Sequence, residues 1–255
     1  SLIPSIKAAK SLTNKPVVGV GRFTSPDKMA EVLRAGAQDL IGAARPSIAD
    51  PFLPAKIEQG KLDDIRECIG CNICYAHDSL GVPIRCTQNP TMGEEWRYGW
   101  HPERIVKKTT TKKFLVVGAG PSGLEAARVL GQRGYDVMLA EATRDLGGRV
   151  FKESQLLGLA EWRRVTDWRI TQINKLKSIE IYRESKLNIN DISDLEVDGI
   201  LIATGAKWAE DALGRHSDIG FETTDERMIF GAERILSGEK IDGNRIVIYD
   251  DDHYY

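Results

Sequence analysis

Phe114-Leu115-Val116-Val117 reads as a buried strand, and it runs straight into Gly118-Ala119-Gly120-Pro121-Ser122-Gly123. This is G-x-G-x-x-G in its required setting, after a strand and opening the helix predicted for Pro121 to Gln132. Glycines at 118 and 120 let the backbone turn and come close to a pyrophosphate, and Gly123 lets helix and strand pack tightly. The helix N-terminus adds free N–H groups and the positive end of a dipole. Val137 to Ala140 predicts the next strand, with Glu141 and Ala142 at its end. A carboxylate there can accept hydrogen bonds from an adenosine ribose, and it disfavours a 2′-phosphate. Leu146-Gly147-Gly148-Arg149 and a buried strand ending in Thr204-Gly205 are further candidates for the same site; tight turns without a ligand are the plain alternative for both. A Rossmann-like α/β domain is the fold these residues demand.

All four cysteines lie in one short segment, Cys68-x2-Cys71-x2-Cys74-x11-Cys86. A disulfide framework would spread them through a small secreted chain. Three thiolates three residues apart can wrap one loop around an inorganic cube while a fourth returns from nearby, which suits a 4Fe-4S cluster. Gly70 and Asn72 help that loop to turn. A structural zinc ion held by four cysteines and a redox-active C-x-x-C pair are the alternatives, though zinc sites more often use two separated pairs. A metal centre also implies a reducing compartment, so the expected location is cytoplasmic.

Upstream, Lys15 to Val20 predicts a buried strand, Asp27 to Arg34 a helix and Asp39 to Gly42 a second strand. Strand, helix, strand at this spacing is the βαβ unit of a parallel sheet. Lys107 to Lys113 is the best linker candidate, and Trp96, Tyr98 and Trp100 before it are expected to pack against it. Gly158 to Lys177 predicts a helix, Ile179 to Tyr182 a strand, and Arg245 to Tyr249 a strand opening a further unit. Net charge is only −2, so nothing electrostatic points to nucleic acid or an anionic membrane. With 42% hydrophobic and 28% charged residues the composition is that of an ordinary globular protein, and no apolar run is long enough for a membrane span. The lack of an initiator Met and the ending at Asp251-Asp252-His253-Tyr254-Tyr255 suggest an internal piece of a longer chain.

Several stretches together resemble the iron–sulfur flavoproteins of the trimethylamine dehydrogenase and 2,4-dienoyl-CoA reductase family. They are Glu67 to Cys74, Cys86-Thr87-Gln88-Asn89-Pro90, Gly99-Trp100-His101-Pro102-Glu103, Val20-Gly21-Arg22-Phe23 and Ala44 to Pro51. Within the family the chain most resembles the amine dehydrogenase branch. The resemblance implies that residues 1–66 are the C-terminal end of an FMN-binding (β/α)8 barrel and that 67–106 carry the cluster and a linker. It implies an FAD- or ADP-binding domain at 107–244 like that of the flavoprotein disulfide reductases, and the start of a second nucleotide-binding-like domain at 245–255. On that template Gly21, Arg22, Ala44 and Arg45 fall at C-terminal strand ends, where barrels hold phosphates, and would cradle that of FMN. Plain surface salt bridges are the other reading of Arg22 and Arg45.

The resemblance further implies an oxidoreductase in which a small methylated amine reduces FMN, the cluster relays electrons singly, and an electron-transferring flavoprotein receives them; a homodimer is compatible. The rival route runs from NADPH through FAD and the cluster to FMN and an enoyl or dienoyl thioester. It needs a second glycine loop after Tyr249, where Asp250-Asp251-Asp252 stands instead and would repel a pyrophosphate. A non-catalytic electron-transfer or nucleotide-binding module is the third reading. No catalytic residue is nominated: the family's substrate-handling positions lie upstream, and His77, His101, His216 and His253 show no partner in sequence that would make one a base.

Overall fold

The computed structural model describes residues 2–211, 213, 219–220 and 229–249. The chain divides into two compact units, Ser1–Thr204 and Gly205–Tyr255. Within the first unit, α1 (Ile3–Ser11), β1 (Val18–Val20), α2 (Pro26–Arg34) and β2 (Leu40–Gly42) are followed by α3 (Ala44–Ala49) and α4 (Leu53–Glu58). The cysteine region contains α5 (Ile73–Ser79) and α6 (Glu95–Tyr98). Next come β3 (Lys113–Val117), α7 (Pro121–Arg133), β4 (Asp136–Ala140), α8 (Arg149–Glu153) and α9 (Arg164–Asn174). β5 (Ile179–Tyr182), α10 (Ile189–Ser193) and β6 (Gly199–Ile202) complete this unit, and α11 (Ala232–Leu236) lies in the second.

β1 and β2 pair in parallel, with Val18 opposite Leu40 and Val20 opposite Gly42. The crossover helix α2 has Pro26 at its start, Asp27 in its first turn and Arg34 in its last, signals that suit the helix dipole. It buries Met29 and Val32 in a core with Phe23, Ala37, Leu53 and Ile65. The expected burial of β1 is only partly met. Gly19 is buried, but Val18 and Val20 are 55% and 56% exposed. Among the described residues this sheet has only two strands, so one face and both outer edges lack cover.

The second sheet has four parallel strands in the order β5-β4-β3-β6. Its core joins Val116, Leu124, Ala127, Val137, Leu139 and Ile173, from the two central strands β3 and β4 and from α7 and α9. α7 buries Gly123, Leu124, Ala127 and Gly131, spacings that keep one helical face on the sheet, and Gly134 at φ +95° ends it. β6 is not the buried strand expected from its apolar sequence. It is an edge strand, and Ile200 and Ile202 are 45% and 77% exposed.

Other expectations are corrected in detail. The helix foreseen from Gly158 to Lys177 is a 3-10 turn at Ala160–Arg163 followed by the shorter α9. The linker at 107–113 is held down: the Lys108 N–H donates to the Arg133 carbonyl (2.8 Å) and Lys107 Nζ to that of Gln132 (2.9 Å). Cations there complement the C-terminal end of α7. Trp96, Tyr98 and Trp100 are exposed rather than packed; Tyr98 and Trp100 stack on each other at 4.6 Å. Arg245 to Tyr249 forms no strand, and Ile246, Val247 and Ile248 stand exposed. His216, His253 and Asp250 to Asp252 lie outside the described residues. Among the described residues no helix is long and apolar enough to cross a membrane.

Candidate metal centre and nucleotide site

The cysteine loop is built on a buried charge network. Asp50, fully buried at the end of α3, accepts from Lys56 Nζ (2.7 Å) and from the Arg66 N–H (2.9 Å). Glu103 Oε1 then receives Lys56 Nζ at 3.0 Å and Arg66 Nη2 at 2.8 Å. The turn that delivers Glu103 is fixed by His101, whose Nδ1 accepts the N–H groups of Glu103 and Arg104 at 3.0 Å each. That gives the Gly99-to-Glu103 motif a positioning role.

Beyond Arg66 the chain carries Cys68 and Cys71 into a loop, and α5 presents Cys74 from its first turn. Gly70 is at φ +71°, a conformation that favours glycine, and the Arg22 guanidinium packs against its Cα. Asn72 takes the left-handed conformation, φ 59°, and its Oδ1 accepts from Arg45 Nη1 at 2.6 Å. Cys68, Cys71, Cys74 and Cys86 all line one small pocket, together with Ile48 and Ile69. Backbone N–H groups donate to two of the sulfurs: Gly70 to Cys68 and Gln88 to Cys86, both at 3.4 Å. Cys71 Sγ lies 3.2 Å from Thr87 Oγ1. Burial pushes the Cys68 and Cys86 thiols up from the ordinary range, opposed by these N–H groups.

Among the described residues, no three His, Cys, Asp or Glu side chains gather closely enough to share one ion. Four thiols lining a common pocket, with N–H groups aimed at two of the sulfurs, make a donor set that would suit a polynuclear iron–sulfur centre. The residues present fit that group.

Gly21 and Ala44 follow the C-terminal ends of β1 and β2, as expected for a phosphate cradle. Their neighbours Arg22 and Arg45 turn out to abut the cysteine loop itself, through Gly70 and Asn72. The structure thus brings together two sets of residues that sequence had assigned to separate cofactors.

At the glycine-rich loop, Gly118 sits at φ +100° with its Cα face against the Ala203 carbonyl and the Thr204 Cα; a Cβ would meet them at 2.4 and 3.2 Å. A Cβ on Gly123 would lie 1.8 Å from the Gly118 carbonyl oxygen. At Gly120 a Cβ would meet nothing within 4 Å, so that backbone faces open space. Pro121 opens α7 and Ser122 is exposed beside it. Gly147 closes the far side by donating to the Ala119 carbonyl at 2.9 Å, and Gly148 approaches the Gly120 Cα. Ala142 is exposed, and Arg149, also exposed, pairs with Glu153 at 2.7 Å. Gly205, at φ +79°, begins the second unit.

Glu141 does more than wait for a ribose. It is buried, its Oε2 accepts the Ala119 N–H at 2.8 Å, and its Oε1 accepts the Thr143 N–H (2.9 Å) and Oγ1 (3.0 Å). The carboxylate therefore fixes the glycine loop from behind. Sequence gave no sign of this second role, because it depends on the parallel register that places Ala140 beside Val117.

Residues 4–64 match the NADH:flavin oxidoreductase / NADH oxidase family, and residues 83–235 match the pyridine nucleotide-disulphide oxidoreductase family. Dimethylamine dehydrogenase of Hyphomicrobium sp. (strain x) is 45% identical over 98% of this chain and 35% of that protein. Histamine dehydrogenase from Rhizobium sp. 4-9 superposes with a TM-score of 0.94 at 50% identity, covering 100% of this chain and 37% of that one. The chain belongs to the trimethylamine and dimethylamine dehydrogenase family. Another family structure, 6-hydroxypseudooxynicotine amine oxidase from Pseudomonas geniculata N1, gives a TM-score of 0.90 at 48% identity over 93% of this chain and 36% of that one. The chain thus spans a little over a third of the length of these relatives.

Sequence reasoning missed the residues that join the four-stranded sheet's layer to the cysteine segment, and they sit on α9. Arg164 pairs with Glu67 at 2.9 Å, Trp168 Nε1 donates to the Asp64 carbonyl at 3.1 Å, and Arg169 Nη1 reaches Gln88 Oε1 at 3.2 Å. Only the periodicity of a helix was visible there, not what it would meet.

Proposed function

We propose that this chain is the electron-relay portion of an amine dehydrogenase. Residues 1–66 would end an FMN-binding (β/α)8 barrel, 67–106 carry the iron–sulfur centre, 107–244 bind FAD or ADP, and 245–255 open a second nucleotide-binding-like domain. One observation carries the reading: the two arginines assigned to the FMN phosphate, Arg22 and Arg45, pack on the same loop that turns four thiols into one pocket. Similarity to a dimethylamine and a histamine dehydrogenase supports a small amine as the substrate class.

Cys68, Cys71, Cys74 and Cys86 would each bind one iron of a 4Fe-4S cluster. When bound, FMN and the cluster supply two-electron and one-electron chemistry respectively. The protein's own residues then have defined tasks. Gly70 and Gln88 direct N–H groups at two sulfurs, which favours the anionic ligand form. Arg22 and Arg45 brace the loop from the barrel side, Ile48 and Ile69 give the pocket apolar walls, and Asp50, Lys56, Arg66 and Glu103 fix where the segment starts and ends. Gly118 to Gly123 and Glu141 present the backbone on which an ADP moiety would rest. An electron-transferring flavoprotein would be the acceptor.

Anaerobic stopped-flow spectroscopy on the flavin-loaded protein tests the direction of flow. Dimethylamine, histamine or a similar small amine should bleach the flavin, and NADH and NADPH should not do so at catalytic rates. Rapid bleaching by NADPH with none by any amine would replace this reading with the enoate-reductase route.

A further inference from the structure

Arg169 lies on α9, in the nucleotide-binding domain, yet its side chain ends at the cysteine segment. It is 3% exposed. Nη1 donates to Gln88 Oε1 at 3.2 Å and to the Val165 carbonyl at 2.7 Å, while Nη2 donates to the Gln88 backbone carbonyl at 3.3 Å. Gln88 is 1% exposed and spends every polar group on this junction. Its own N–H donates to Cys86 Sγ, and its Nε2 donates to the Glu67 carbonyl at 2.9 Å, next to Cys68. The N–H of Asn89, on the far side of the peptide whose carbonyl Arg169 grips, also faces the Cys86 sulfur.

A guanidinium on a carbonyl oxygen draws electron density along that peptide and strengthens the N–H at its other end as a donor. An N–H to a thiolate stabilises extra negative charge on the centre the thiolate holds. Glu125, on α7, supplies the nearest counter-charge: it lies 2.8 Å from Arg169 Nε and also pairs with Arg128, while Glu103 pairs with Arg66. Arg66, Arg128 and Arg169 all lie over the Trp168 ring, at 5.3, 5.3 and 5.8 Å, so three guanidiniums gather around the residue next to Arg169 on α9. Burial works to raise the Glu125 carboxyl, but the hydrogen bond from Arg128 and the neighbouring guanidiniums outweigh it and hold it below its usual value. It is therefore an anion at neutral pH.

We propose that Arg169 is a positioning and tuning residue for the iron–sulfur centre: through Gln88 it orients Cys86 and raises the centre's reduction potential, with Glu125 setting the opposing bias. The inference rests on the cluster reading above. It assigns to a helix of the nucleotide domain a hold on the redox poise of a centre bound wholly by another segment. Its bonds to the cysteine segment go to Gln88, so it would act through Gln88.

The test is an EPR-monitored redox titration of the anaerobically purified holoprotein, with iron and labile sulfide measured on each sample. Arg169→Gln removes a buried cation and should move the midpoint to more negative potential, by about tenfold in the oxidised-to-reduced ratio, or about 59 mV for one electron. Glu125→Gln removes the counter-charge and should move it the other way. Arg169→Lys should return most of the shift. A merely structural contact would change stability or iron content without this pair of opposite shifts. Full iron content with wild-type midpoints in both neutral variants, or shifts of the same sign, would overturn the proposal. Should Arg169→Gln lose its iron, Glu125→Gln decides alone, and an unmoved midpoint there refutes it. Wild-type protein without iron and sulfide would instead refute the cluster reading, and the inference with it.

Discussion

Gly120 and Gly123 stand three residues apart in one loop, and the structure assigns them opposite sensitivities. At Gly123 an added methyl would sit 1.8 Å from the Gly118 carbonyl oxygen, far inside contact distance, and the neighbour is backbone with no rotamer to yield. Gly123→Ala should therefore cost about 3 kcal/mol of folding free energy, at the upper end of the overpacking range. At Gly120 the same methyl meets no atom within 4 Å, and φ is −71°, which alanine adopts freely. Replacing a glycine N-cap by alanine costs about 1 kcal/mol or less. Gly120→Ala should thus fold nearly as well as the parent. Its methyl, however, occupies the open space through which a pyrophosphate would reach the first N–H groups of α7. Losing one charge-assisted hydrogen bond of about 1.5–3 kcal/mol weakens ADP binding by roughly tenfold to a hundredfold. Urea titration reads the first quantity and isothermal calorimetry with ADP the second. A Gly120→Ala protein that binds ADP as tightly as wild type would refute the nucleotide assignment, and a Gly123→Ala protein of undiminished stability would refute the packing argument.

Glu141→Ala frees the Ala119 N–H and both Thr143 donors, so calorimetry should show ADP binding weakened by about 1–3 kcal/mol; unchanged affinity would count against a role in this loop. Glu103→Ala leaves Arg66, 1% exposed, without its carboxylate and should cost about 2–3 kcal/mol in urea, since stranding a buried charge is expensive. The exposed neighbour Lys61→Ala should move the midpoint by less than about 0.5 kcal/mol. Burial works to raise the Asp64 carboxyl, but hydrogen bonds from Lys175 and Gln172 prevail and hold it below its ordinary 3.8. A lowered folded pKa means the unfolded chain takes up the proton first. This contribution is therefore complete above pH 3.8 and lost as pH falls through the folded value. Wild type should lose more stability on acidification across that window than Asp64→Asn; parallel acid limbs would contradict the pairing of α9 with this carboxylate.

Legibility in the sequence followed the range of the interactions. β3, the Gly118 loop, α7 and β4 are encoded by local signals, an apolar run, glycines, Pro121 and Gly134, and their ends matched expectation within a residue or so. The four cysteines announced their shared pocket by spacing alone. What stayed hidden depends on long-range pairing. Neither the second bond set of Glu141 nor the bracing of Asn72 by Arg45 follows from a period or a motif. The same holds for Arg169, which meets Gln88 across a tertiary contact between distant segments. The apolar runs at β1, β6 and Arg245 to Tyr249 misled for a related reason: hydrophobicity predicts a strand that wants cover, not whether cover is present. α5 was missed because its short run of seven residues begins at a ligand loop and buries no residue that would set a period.

What the four thiols hold decides whether this segment can relay electrons. Protein purified under anaerobic conditions should contain about four iron atoms and four acid-labile sulfides per chain, with broad visible absorption that bleaches on addition of dithionite. Cys74→Ala should lose that content, because one iron is left without its thiolate. Stoichiometric zinc with no labile sulfide in the wild-type protein would contradict the account at its centre.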